Sequence, residues 1–134
     1  MAKYIKYSLI GKIISTGECP NGQENIQQLN AGETIIIGEC SPFTDYILSG
    51  LVTPRPTQAI TLDKTTLIAD GVDKITFTGA VSGSTITVKG LLSGNTATGT
   101  CDNPDYFSTV IADTYQVTIS CWPYLDFTIT VTAG

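Results

Sequence analysis

The residues best suited to touching something outside the chain are aromatic. Cys121-Trp122-Pro123-Tyr124-Leu125 sets a tryptophan and a tyrosine on either side of a proline, and rigid rings supply contact area at low entropic cost. An exposed pair of this kind stacks on a sugar ring or anchors a protein. The stronger competing reading is a loop whose Trp122 folds back over the strands beneath it. Tyr106-Phe107 is expected to join Trp122 and Tyr124 in one aromatic patch, and these four residues are the candidate contacts for a partner or a glycan.

Other chemistry finds few residues to work with. The chain has no histidine, so a serine or cysteine nucleophile would need Lys, Asp or Glu as its base. Twelve carboxylates are present, yet no spacing selects a pair for glycoside hydrolysis. The glycines at 79, 83, 90, 94 and 99 fall between apolar runs as turn residues rather than as a phosphate cradle. Asp70 and Asp73 flank Gly71, and Asp102 and Asp105 flank Asn103-Pro104, so two acidic turns could offer oxygens to calcium. The stronger explanation is that Asp and Asn bond their own backbone in turns. The expectation is a protein that is not an enzyme and takes no cofactor or metal.

Four cysteines, at 19, 40, 101 and 121, allow three pairings and form no C-x-x-C unit. A zinc site would need all four drawn together from distant strands. They are expected as free thiols acting as small hydrophobes, with Cys19–Cys40 and Cys101–Cys121 left open as disulfides in an oxidising setting.

Composition narrows the classes further. The 134 residues carry a net charge of −5 with a single arginine, which lacks the basic footprint that neutralises phosphates. No apolar run approaches the roughly 20 residues of a spanning helix, and no signal peptide is evident at Met1 to Lys12. Neither nucleic acid nor membrane is expected as a partner, and synthesis is expected in the cytoplasm. Thr and Ser number 30 and Ile and Val 23, a balance that favours pleated strands. An all-β fold follows.

The elements that must position these residues divide into two segments. The first is read as an N-terminal β-hairpin segment over 1–58, with strands at 3–9 and 12–16 turning at Gly11 and a second hairpin over 44–52. Tyr4, Lys6 and Ser8 alternate with Ile5, Tyr7 and Leu9. Ile13 to Cys19 and Ile35 to Cys40 are β-branched runs that both close in Gly-Glu-Cys, joined through Cys19-Pro20-Asn21-Gly22 and a polar stretch from Asn25 to Asn30. Setting those ends on neighbouring strands would bring Cys19 near Cys40. Thr53-Pro54-Arg55-Pro56-Thr57 reads as a short stiff linker. Over 59–134, strands are expected at 60–62, 65–69, 74–79, 85–89, 96–100, 106–112, 115–121 and 126–132, the spacing of a small β-sandwich. Phe77, Val117, Ile119, Phe127, Ile129 and Val131 are its expected core. Residues 1–59 carry −1 and residues 60–134 carry −4.

Leu67-Ile68-Ala69-Asp70-Gly71-Val72-Asp73-Lys74-Ile75-Thr76-Phe77 resembles the opening of bacterial immunoglobulin-like domains. Asp113-Thr114-Tyr115-Gln116-Val117-Thr118-Ile119 resembles their Gly-x-Tyr-x-Val strand, with Thr114 where that pattern has glycine. Gly11 to Pro20, Gly32 to Glu39, Tyr46 to Gly50 and Pro54-Arg55-Pro56 are similar to small virion proteins of tailed bacteriophages. The resemblance implies an immunoglobulin-like β-sandwich and a structural role in a tail, fibre or capsid decoration, located in the virion. The N-terminal segment would attach to other virion proteins or to further copies of the chain as a homo-oligomer. The alternative is a carbohydrate- or receptor-binding module that contacts a host-surface glycan through Trp122, Tyr124 and Tyr106.

Overall fold

The computed structural model describes residues 1–23 and 29–134; most of the polar stretch at 25–30 therefore lies outside the described residues. Among them there is no helix, and thirteen strands form several sheets, so the fold is all-β. The chain separates into two compact units, Met1–Arg55 and Pro56–Gly134. The boundary falls inside the Pro-Arg-Pro segment because each half of that segment is held by its own unit. Arg55 N donates to Thr44 O at 2.8 Å, whereas Pro56 O accepts from Leu125 N at 2.8 Å.

The N-terminal unit is more than a hairpin. Strands β1 (Ala2–Tyr7), β2 (Ile13–Cys19) and β3 (Thr34–Ile37) form an antiparallel sheet in the order β2-β1-β3. Strands β4 (Asp45–Leu48) and β5 (Leu51–Pro54) form a separate hairpin. Its two-residue turn has positive φ at both Ser49 (52°) and Gly50 (77°), the twist that suits tight hairpins. The period-two pattern of β1 buries Ile5 completely and leaves Tyr7 half-buried, but Leu9 is 87% exposed because the strand ends before it. Gly11 explains how the hairpin meets the sheet. Ile47 N donates to Gly11 O at 2.8 Å, and a Cβ at position 11 would lie 2.0 Å from Ile47 O. The core this contact closes is small: Ile5, Ile13 and Ile47, flanked by Tyr7, Ile36 and Cys40.

The C-terminal unit contains β6 (Thr61–Leu62), β7 (Thr66–Leu67), β8 (Ile75–Thr78), β9 (Thr85–Gly90), β10 (Thr96–Thr100), β11 (Asp105–Phe107), β12 (Asp113–Ser120) and β13 (Phe127–Ala133). One sheet has the order β10-β9-β12-β13-β7 and a second the order β11-β8-β6. All pairs are antiparallel except β13 with β7, where Thr132 sits opposite Thr66 and Ala133 opposite Leu67. Ile75 and Phe77 from the smaller sheet share one apolar cluster with Val117, Ile119 and Val131 from the larger. Of the expected core, Phe77, Val117, Ile119 and Val131 are fully buried, while Phe127 and Ile129 are half-buried against the cluster. The strand expected over 106–112 ends at Phe107. Residues 108–112 instead form a loop in which Thr109 Oγ1 accepts from Ile111 N at 3.1 Å.

Threonines face outward from the larger sheet in register. Thr98 is opposite Thr87, Thr87 opposite Thr118, and Thr118 opposite Thr128. Hydroxyls meet at 3.4 Å between Thr87 and Thr98 and between Thr118 and Thr128.

Candidate functional site

The four aromatic candidates occupy two separate places. Phe107 packs edge-on against Tyr115, with ring centroids 5.0 Å apart, at the end of the unit where β12 begins. Tyr106, exposed on β11, lies beneath the Lys74 ammonium at 4.2 Å, a cation–π contact. Trp122 and Tyr124 belong to a turn beyond the other end of β12, closed by Tyr124 N donating to Cys121 O at 2.7 Å. Tyr115 and Ser120 are separated by five strand steps, about 17 Å, so the expected single patch is two. Register is the reason: Tyr115 sits opposite Gly90, while Ser120 sits opposite Thr85 at the far end of β9. Trp122 and Tyr124 are half-buried. Their turn adjoins Pro56, where the chain enters this unit, through the bond from Leu125 N.

In both acidic turns carboxylates accept from backbone amides. Asp70 Oδ1 accepts from Val72 N at 2.9 Å and Asp73 N at 2.8 Å; these bonds hold the Asp70 carboxyl below the usual carboxylate range. Asp73 takes Lys64 Nζ at 2.5 Å and Ile68 N at 2.8 Å, and the lysine is the main cause of its lowered pKa. Asp105 accepts from Asp102 N and Tyr106 N. Among the described residues, no three Asp, Glu or Cys side chains gather as a metal-binding group.

Sequence reasoning passed over Asp113, a buried carboxylate that organises a loop. Its oxygens accept from Leu92 N and Ser93 N at 3.0 Å each and from Thr114 N at 2.7 Å. Burial opposes its charge, yet the amides of Ser93 and Leu92 outweigh that and hold the pKa below the usual value. Leu92 and Ser93 lie 21 and 20 residues before Asp113, so those bonds left no local signal.

The four cysteines are free thiols. The two Gly-Glu-Cys ends do not lie on neighbouring strands, because β1 runs between β2 and β3. Those strands are two spacings, about 9.6 Å, apart, and Cys40 follows β3 by three residues. Cys101 is buried, and burial together with the charge of Asp105 pushes its thiol up to about 11.

Two apolar surfaces went unread in the sequence. In the N-terminal unit, Leu9, Ile10, Phe43 and Leu51 are each more than 60% exposed. Leu9, Ile10 and Ile14 line an open groove of about 350 Å³ with Ala31 and Gly32. In the C-terminal unit, the exposed aliphatic side chains collect at one end. Ile68 and Val72 follow β7, Leu91 and Leu92 follow β9, and Val110 and Ile111 precede β12. Gly71 N to Thr109 O at 3.0 Å joins the first of these loops to the third, and Leu91 N to Thr114 O at 2.8 Å joins the second to the start of β12. This tip is remote from Pro56.

Comparison with protein-family models, with curated proteins and with solved structures finds no match to this chain.

Proposed function

We propose that the protein is a non-enzymatic structural component of a tailed-bacteriophage virion, attached to tail or capsid through its N-terminal unit and displaying an immunoglobulin-like β-sandwich. The observation that carries the docking role is an imbalance in the N-terminal unit. Its apolar cluster has three buried residues, while ten large apolar side chains of the same unit are exposed. A surface of that composition is stabilised when a partner covers it. The assignment to a phage particle rests on the resemblance of Gly11–Pro20, Gly32–Glu39 and the Pro-Arg-Pro segment.

Three features support the immunoglobulin-like reading of the C-terminal unit. Two sheets share one core, and the larger is extended by a short parallel strand, β7 on β13. The third is Tyr115, whose hydroxyl donates to Ile111 O at 2.7 Å near the start of β12. That is the geometry of the tyrosine corner of such sandwiches.

A variant carrying Leu9→Asp and Ile10→Asp tests the docking role. Both side chains are exposed, so the thermal midpoint should hold while incorporation into purified virions, read by mass spectrometry, is lost. Virions that lack the wild-type protein, or that take up the variant equally well, would refute the reading.

The receptor-binding alternative gains from the apolar tip, which faces away from the chain's entry at Pro56. Its residues are aliphatic rather than aromatic, which suits an apolar protein patch better than a sugar ring. Val110→Asp with Leu92→Asp should then reduce host adsorption and leave incorporation intact. Unchanged adsorption would remove this reading.

A further inference from the structure

Edge strands are usually guarded against pairing with another chain by shortness, charge, proline or a bulge. Most edges of this protein follow that rule. β6 and β7 are two residues long, β11 is three and begins with Asp105, β5 ends in Pro54, and β4 begins with Asp45. β2 carries Glu18, and its register with β1 shifts near Tyr7; β3 is bracketed by Glu33 and Glu39.

β10 differs in having no charge or proline within it or directly next to it. Thr96-Ala97-Thr98-Gly99-Thr100 pairs with β9 over five residues without a register shift. Every one of its residues is exposed, and none is charged or proline. Its alternation is also regular. Thr96, Thr98 and Thr100 continue the threonine face, with Thr98 against Thr87. Ala97 and Gly99 lie opposite Val88 and Ile86 on the core side.

We infer that β10 pairs antiparallel with β10 of a second copy of this chain, about a two-fold axis through Thr98, joining two five-stranded sheets into one. The sequence Thr-Ala-Thr-Gly-Thr is self-complementary under that operation. Thr98 meets Thr98, Thr96 meets Thr100, and Ala97 meets Gly99, so each face sees its own kind, as an isologous contact requires. The small residues let the core sides approach without a clash. Charge agrees as well. In an acidic chain of net charge −5, a self-contact has to avoid opposing carboxylates. Here Lys89 sits one strand in from Thr96, and Asp102 follows two residues after Thr100. The two-fold axis places Lys89 of one copy level with Thr100 of the other, two residues along the chain from that copy's Asp102, twice. This contact is independent of docking by the N-terminal unit and would link neighbouring copies on a particle.

The test is the solution mass of the full-length chain by light scattering, for wild type, Thr98→Lys and Thr98→Asp. Position 98 faces solvent, so both variants should keep the wild-type thermal midpoint. On the axis, each variant places like charges directly opposite. The expected result is that Thr98→Lys and Thr98→Asp alone each show half the wild-type mass, and that their equimolar mixture returns to the wild-type mass. A monomeric wild type overturns the inference. So does an unchanged mass in both variants, which would locate self-association in the N-terminal unit and leave the docking proposal standing. A mixture that stays at half mass overturns the pairing about Thr98.

Discussion

At the scale of single residues, two buried ionisable groups are set by the loops around them. Cys101 is the clearest thiol. With its pKa pushed up to about 11 by burial and by the Asp105 and Asp102 charges, about one molecule in a thousand carries the thiolate at pH 8, and the thiolate is the nucleophile. Native protein treated with iodoacetamide at that pH should leave Cys101 unmodified by peptide mass mapping while denatured protein is fully labelled. Rapid native labelling would show that the thiol is reached and activated. Asp113 makes the complementary point about acid. Burial opposes its charge, but the backbone donors of Ser93 and Leu92 prevail, and its folded-state pKa lies below the ordinary 3.8. The unfolded chain therefore binds the proton more readily. The stabilisation this group contributes is complete above 3.8 and drains away as pH falls through the folded value. Asp70 and Asp73 are shifted in the same direction. The thermal midpoint should fall between about pH 5 and about pH 2, and Asp113→Asn should flatten that decline. A variant with the wild-type slope would mean that Asp113 is not among the groups responsible.

Elements are where sequence and structure can be compared strand by strand. Alternation in Tyr115 to Ser120 and Phe127 to Thr132 marks β12 and β13 because each residue's face is decided within its own strand. The Ser49-Gly50 turn is equally local. What the pattern did not carry is pairing at long range. β3 joins β1 across about thirty residues of chain, placing Tyr4 opposite Ile37, and nothing in Ile35-Ile36-Ile37 says which strand it will flank. The same ignorance merged Tyr106-Phe107 with Trp122-Tyr124, which only register separates, and hid the exposed edge of β10. Tyr115 illustrates a signal that was visible as a motif but not as a bond. Its hydroxyl donates to Ile111 O at 2.7 Å and lies 3.0 Å from Thr109 Oγ1, holding the loop that presents Val110 and Ile111. Tyr115→Phe keeps the ring against Phe107 and removes only these bonds, so it should cost about 1–2 kcal/mol in urea unfolding. A loss under about 0.3 kcal/mol would show that these bonds contribute nothing measurable.

For the whole molecule, the two units differ in how much apolar surface each hides. The C-terminal cluster has eleven buried residues drawn from both of its sheets, and the N-terminal cluster has three. Small units bury a low fraction of their surface and are correspondingly marginal, and local opening free energies follow such differences within one chain. Amide exchange should therefore be faster across β1, β2 and β3 than across β9, β12 and β13, by at least about tenfold in protection factor. A partner that covers Leu9, Ile10 and Ile14 binds the folded unit only, so mass action raises its protection as the partner saturates. With that partner bound, the N-terminal amides should thus approach the protection of the C-terminal strands, while β12 and β13 stay unchanged. Equal protection of both units in the isolated chain would show that three buried isoleucines suffice. The exposed aliphatic side chains would then need an explanation other than docking.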